Sequence, residues 1–154
     1  MRLSDHLRDD LVVHGLQASN ASEVLEAFGA LFEKAGLVQS GEEVARALRT
    51  REEAHTTCLG EGVAVPHATI PRLEEMVLLV VSTSRPIRFG PPDSQPVDLF
   101  FVLLSPAGKE GSHIKLLARI CRLVRHPGTL EELQSASGGD GLLQALLRVD
   151  SQHV

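Results

Sequence analysis

Apolar and polar positions alternate along this chain in two periods, and the change of period divides it into strands and helices. LVVHGL (11–16) is a short apolar run that predicts a first strand. Asn20 and Glu23 have the spacing of a helix-starting box, in which side chain and backbone amide satisfy each other. Val24, Leu25, Phe28, Leu31 and Phe32 follow at helical spacing, and Gly36 is placed to end that helix. Ser40 and Glu43 repeat the signature ahead of Val44, Ala47 and Leu48, predicting a second helix to about Glu53. HTTCLGEG (55–62) is small, polar and glycine-bearing, and reads as a loop. Val63-Ala64-Val65 is a short strand cut off by Pro66, which has no amide hydrogen for a ladder.

Two nearly continuous apolar runs follow, MVLLVVS (76–82) and VDLFFVLLS (97–105), with the composition of strands covered on both faces. The turn-rich PIRFGPPDSQP between them accommodates a short edge strand around Ile87–Phe89. After the loop SPAGKEG, Ser112 is expected to cap a helix whose core side is Ile114, Leu117, Ile120, Cys121 and Val124. Thr129 and Glu132 cap a further short helix, and Asp140 starts a last one through Leu147. Strand, two helices, strands and then helices predict an α/β fold: one three-layer domain over 1–154, core about 7–147, with a mixed central sheet and helices on both faces.

Composition narrows the function classes. At 154 residues the chain is long enough for one core without staples. Two cysteines, Cys58 and Cys121, make no disulfide framework; reduced thiols and a charged MRLSDHLRDD opening without an apolar export run suit a cytoplasmic protein. Apolar runs of at most about 8 residues are too short to insert in a membrane. A net charge of −5, with no Trp or Tyr for stacking bases, argues against a nucleic-acid partner.

Seven histidines carry most of the candidate chemistry. His67 follows a stiffening proline at the exit of a buried strand and a glycine loop, where functional side chains commonly sit on a rigid scaffold. His113 opens an amphipathic helix, whose unpaired amides and dipole attract phosphate or carboxylate. His55, Cys58, His67 and His113 also contain the donors of a mixed zinc site, with one His-x-x-Cys pair.

The run REEAHTTCLGEGVAVPHA (51–68) resembles the phosphorylation-site motif of bacterial phosphotransferase-system enzyme IIA domains of the fructose/mannitol class and their nitrogen-regulatory relatives. PIRFG…QPVDLFFVLLSP (86–106) and HIKLLARICRLV (113–124) extend the likeness over roughly residues 7–147. The resemblance implies the mannitol-type IIA fold and a phosphotransferase acting as a histidine phosphocarrier. In it, His67 accepts a phosphoryl group, as tele-phosphohistidine, from the phosphohistidine of an HPr-type protein. It further implies that His113 lies beside His67 and that Arg51 and Thr57 help hold the phosphoryl group, with Glu61 in the same loop. No cofactor or metal is implied.

The next partner is then an enzyme IIB domain in a sugar-specific component, or a regulated transporter or kinase in a nitrogen-type regulator. Without a fused IIB or transmembrane part, the regulator is the expected branch; a fold kept only as a non-catalytic interaction module is the alternative from another class. His55, Cys58, and Ala68-Thr69 in place of a common Gly-Lys pair depart from the family pattern. A bulky His55 is expected to narrow the approach to His67, and Cys58 to make the site redox-sensitive.

Overall fold

A computed structural model describes residues 2–153. Six strands and five helices follow one another in it: β1 Val12–Leu16, α1 Ala21–Lys34, α2 Gly41–Ala54, β2 Cys58–Gly60, β3 Val63–Ala64, β4 His67–Thr69, β5 Val77–Ile87, β6 Val97–Ser105, α3 Glu110–Val124, α4 Thr129–Gln134 and α5 Gly138–Gln152. The sheet runs β1-β5-β6-β3-β2, and β4 also pairs with β6. It is mixed as expected: β1 with β5 and β6 with both β3 and β4 are parallel, whereas β5 with β6 and β2 with β3 are antiparallel.

The two apolar strands form the centre because both of their faces are covered. Leu79, Val81, Phe100 and Val102 point into a core shared with Phe28 and Phe32 of α1 and Val44 and Leu48 of α2. Leu78, Val80, Leu99 and Phe101 alternate with them and face Leu116 and Ile120 of α3 and Leu142 and Leu146 of α5. The period of two thus places each strand's neighbours in opposite cores, which makes three layers. Phe100 meets two other rings there, edge-on to Phe28 at 5.2 Å and to Phe89 at 5.1 Å between ring centroids.

The predicted helix starts are present with local adjustments. Asn20 accepts from the Glu23 amide at 2.9 Å, but the Glu23 carboxylate reaches back to the Ser19 amide rather than to that of Asn20. Ser40 accepts from the Glu43 amide at 3.1 Å. Helices α1 and α2 cross with almost no space between backbones, because Gly29 and Gly41 meet there: a Cβ on Gly41 would lie 2.7 Å from the Gly29 carbonyl oxygen.

Several expectations are corrected. The loop 55–62 contains β2, which turns back through Glu61 and Gly62, both at positive φ, to pair with β3. His67 begins a further strand, β4, after the proline. There is no separate edge strand at 87–89; β5 continues through Pro86 to Ile87 and re-pairs with Val97 after an irregularity in register. Helix α3 starts at Glu110 without a side-chain cap, and α4 follows Gly128 in the left-handed region, with Thr129 buried rather than capping. In α3 the buried stripe is Leu116, Ile120, Leu123 and Val124, and Ile114 is 66% exposed.

Arg119 lies inside that stripe, where an unpaired charge would be costly. Its Nη2 meets Asp150 Oδ1 of α5 at 2.9 Å, and it also donates to the carbonyls of Asp150 and His153. Asp150 further accepts the amides of Leu3 and Ser4 at 3.0 and 3.1 Å, so one buried ion pair binds both ends of the described chain.

Candidate functional site

Three elements converge on His67. Strand β4 lies at the sheet's edge, paired only to β6, with His67 opposite Leu103 and Thr69 opposite Ser105. Its period of two turns Ala68 into the α1–α2 core and His67 to the opposite face, toward α3. The first turn of α3 brings His113 there. The two rings stand edge to face, 5.0 Å between centroids at an interplanar angle of 65°.

The orientation of the His67 ring follows from backbone alone. Its Nδ1 is 2.8 Å from the carbonyl oxygen of Val65. A carbonyl only accepts, so Nδ1 carries the proton and donates it, and Nε2 is left with a lone pair. Among the described residues nothing hydrogen-bonds Nε2. The Val65 amide in turn donates to the carbonyl of Thr57 at 3.1 Å. Val65 therefore ties the ring to the β2–β3 hairpin.

Burial pushes the His67 imidazole below the ordinary histidine value, against the raising effect of the Val65 carbonyl, and the nearby Arg51 charge lowers it further. His113 is lowered by burial first, then by His67 and Arg51. Both shifts favour the neutral ring, and Arg51 acts on both from the last turn of α2. Its Nη1 donates to the carbonyl of His55 at 3.1 Å, which leaves other guanidinium hydrogens for an anion. The His55 side chain is exposed, and His55 meets the Arg51 guanidinium through its backbone carbonyl.

Two sequence candidates are placed differently. Thr57 is buried, and its hydroxyl donates to Glu52 Oε1 at 2.6 Å while its amide donates to Glu52 Oε2 at 2.7 Å. Its hydroxyl is thus committed to Glu52 in the last turn of α2, and acts on the loop's shape. Glu61 is not brought to the histidines. It sits at the hairpin tip, its amide donating to Gln95 Oε1 at 2.8 Å. Val63 is opposite Leu99 and His67 opposite Leu103, so the tip lies beyond the four-residue stretch that separates them, about 13 Å.

The zinc reading lacks a geometric basis: among the described residues no three His, Cys, Asp or Glu side chains converge to hold a metal ion. Cys58 packs toward Gly90, against the α1–α2 core. Burial, then the Glu52 charge, raise its thiol pKa despite a hydrogen bond with Thr56, which suppresses the thiolate that redox sensing needs.

Sequence reasoning missed Glu52, which organises the Thr56–Thr57 turn, and Ser105, whose Oγ lies 2.6 Å from His113 Nδ1. Glu52 is one of two adjacent glutamates at a helix end, with no local sign of which turns inward. Ser105 is a lone polar residue closing an apolar strand, a visible signal that periodicity alone treats as a boundary.

Comparison with known proteins gives a family and a shared fold. Residues 5–149 match the family described as "Phosphoenolpyruvate-dependent sugar phosphotransferase system, EIIA 2". The chain is 34% identical over 147 residues to a nitrogen regulatory protein of Bradyrhizobium diazoefficiens, covering 95% of each. The crystal structure of nitrogen regulatory protein IIA-Ntr from Neisseria meningitidis superposes with a TM-score of 0.85 at 26% identity, covering 94% of this chain and 98% of that one. The Escherichia coli mannitol IIA structure has a TM-score of 0.76 at 24% identity over 91% and 98%, a likeness of fold. No helix among the described residues is long and apolar enough to cross a membrane.

Proposed function

This chain belongs to the EIIA type 2 family of the phosphoenolpyruvate-dependent sugar phosphotransferase system, and on that premise we propose that it is a phosphocarrier whose acceptor atom is His67 Nε2. The observation that carries the proposal is the Val65 carbonyl on Nδ1, which leaves Nε2 bare beside a second imidazole. The lone pair attacks phosphorus on the phosphohistidine of an HPr-type donor. One P–N bond forms at His67 as the donor's P–N bond breaks, and the donor imidazole leaves with that electron pair. Passing the group on runs the same step in reverse order.

Such a transfer asks mainly for in-line placement and compensation of charge on three equatorial oxygens. Arg51 supplies a planar fork able to grip two of them, and His113 adds a donor from the other side. Arg51→Ala is expected to slow labelling roughly 10- to 150-fold, the worth of a charged hydrogen bond. Arg51→Lys should recover only part of that, because an ammonium keeps the charge without the fork. Initial rates from a phosphorylated donor carrier measure both.

The pH profile has a definite sign. Attack requires neutral His67, whose pKa is lowered from 6.5. Acceptance should therefore stay level from pH 8 to about 6.5 and fall only below that, with its midpoint at the ring's own titration by NMR. A midpoint above 6.5 in either measurement would show that burial and Arg51 do not lower the ring's pKa.

Within the family we place the chain on the nitrogen-regulatory branch, where the phosphoryl group ends its relay and the two states of the protein bind a transporter or kinase differently. The 34% identity to a protein named as a nitrogen regulator, across 95% of both chains, supports this over a sugar-specific component that hands the group to an IIB domain. The deciding experiment is incubation with phosphorylated carriers of the sugar and nitrogen branches, mapping of the modified residue, and then addition of IIB domains. Label on His67 from the nitrogen-branch donor, retained in the presence of IIB, is the expected result. Rapid discharge to a IIB domain would move the chain to the sugar branch.

A further inference from the structure

The second ring of the pair is held as firmly as the first, by a residue the phosphoacceptor reading does not use. Ser105 is the last residue of β6 and is 2% exposed. Its backbone is fixed on the β4 side, opposite Thr69 and accepting from the Ile70 amide at 2.9 Å. The hydroxyl, 2.6 Å from His113 Nδ1, is able either to donate or to accept. Its Oγ has no other hydrogen-bond partner among the described residues. A serine accepting from Nδ1–H would bury its own proton unpaired, whereas a donating serine satisfies both atoms. A neutral ring that accepts at Nδ1 carries its proton on Nε2.

We propose that Ser105 is a positioning residue that holds His113 as the Nε2–H tautomer, making it a hydrogen-bond donor to the phosphoryl group on His67. The proposal rests on His67 being the acceptor, and it explains how two adjacent imidazoles take opposite roles. At His67 the Nδ1 partner is a carbonyl, which forces the proton onto Nδ1 and bares Nε2. At His113 the Nδ1 partner is a hydroxyl, which donates and leaves the proton on Nε2. With the opposite tautomer, His113 would aim a lone pair at anionic oxygens and would compete with His67 as nucleophile.

The test begins with the 15N-labelled parent chain, by NMR correlation of ring nitrogens with ring protons at pH 7.5. His67 should be protonated on Nδ1 and His113 on Nε2; a His113 proton on Nδ1 overturns the proposal without need of any variant. In Ser105→Ala, His113 should lose its single tautomer, and labelling from a phosphorylated HPr-type carrier should slow roughly 2- to 12-fold, as for loss of one neutral hydrogen bond. Ser105→Thr, which keeps the hydroxyl, should restore the His113 pattern and most of the rate. An unchanged His113 pattern and rate in Ser105→Ala overturns the proposal. Opposite tautomers in a parent chain that takes no label would defeat the phosphoacceptor reading while leaving the tautomer assignment intact, so the two failures are distinguishable.

Discussion

His67→Gln is expected to take no detectable label from a phosphorylated carrier, while its thermal transition stays within a few degrees of the parent's. Glutamine is suited to the comparison because it is a neutral polar side chain of similar reach whose amide nitrogen has no nucleophilic lone pair. What it lacks is a nucleophilic imidazole nitrogen, so the chemistry goes while a neutral polar side chain remains. Folding should tolerate the exchange, since His67 is only half-buried and the β4–β6 pairing is made by backbone. The parent's label should be acid-labile and base-stable, as a phosphoramidate is, and absent from the variant. Label persisting on the glutamine variant at His113 would show that the roles of the rings are reversed; label on neither chain would leave an interaction module.

The largest effect on stability is expected at the helix crossing. A methyl on Gly29 would collide with the carbonyl of Gly41, its nearest remaining neighbour being the Gly41 carbonyl carbon at 2.9 Å. Both are backbone atoms and cannot turn aside as a flexible side chain does. Overpacking of this kind costs up to about 3 kcal/mol, against about 1 kcal/mol that alanine returns as a better helix former. Gly29→Ala should therefore destabilise by about 2 kcal/mol, a fall in melting temperature of roughly 4–8 °C for a chain of this size. Gly111→Ala in α3 is the control: no atom lies within 4 Å of the added methyl, so its melting temperature should hold or rise. Equal melting temperatures for the two variants would mean that α1 and α2 do not meet as closely as described.

What the sequence disclosed and what it concealed divide by range. The strands 77–82 and 97–105 announced themselves because both faces are covered, and Asn20 and Ser40 because a cap is a contact three residues long. The phase of α3 did not, since HIKLLARICRLV contains two apolar stripes. Which one turns inward is settled by Asp150, 31 residues further on, which satisfies Arg119 inside the layer and thereby rotates Ile114 out to solvent. Strand β4 was hidden for a similar reason: three residues after a proline carry no period of their own and become a strand only against Leu103–Ser105.

The site shows the same division. The motif around Val63–Ala68 pointed to His67, and the first turn of α3 to His113, on local grounds and by resemblance. Their meeting at 5.0 Å is a product of topology. Glu52 and Ser105 act through contacts whose partners are not implied by any spacing, and Glu61 shares a loop with His67 in sequence but not in space.

The aim of the His67 ring is inherited from a main-chain oxygen, and the buried Val65 side chain holds that oxygen in place by packing. A change in the path of the chain, such as an insertion between Cys58 and Val65 that moves this peptide off the Thr57 carbonyl, would swing the ring away. The hairpin's length is thus part of the nucleophile's aim, although none of its residues hydrogen-bonds the ring's reactive nitrogen.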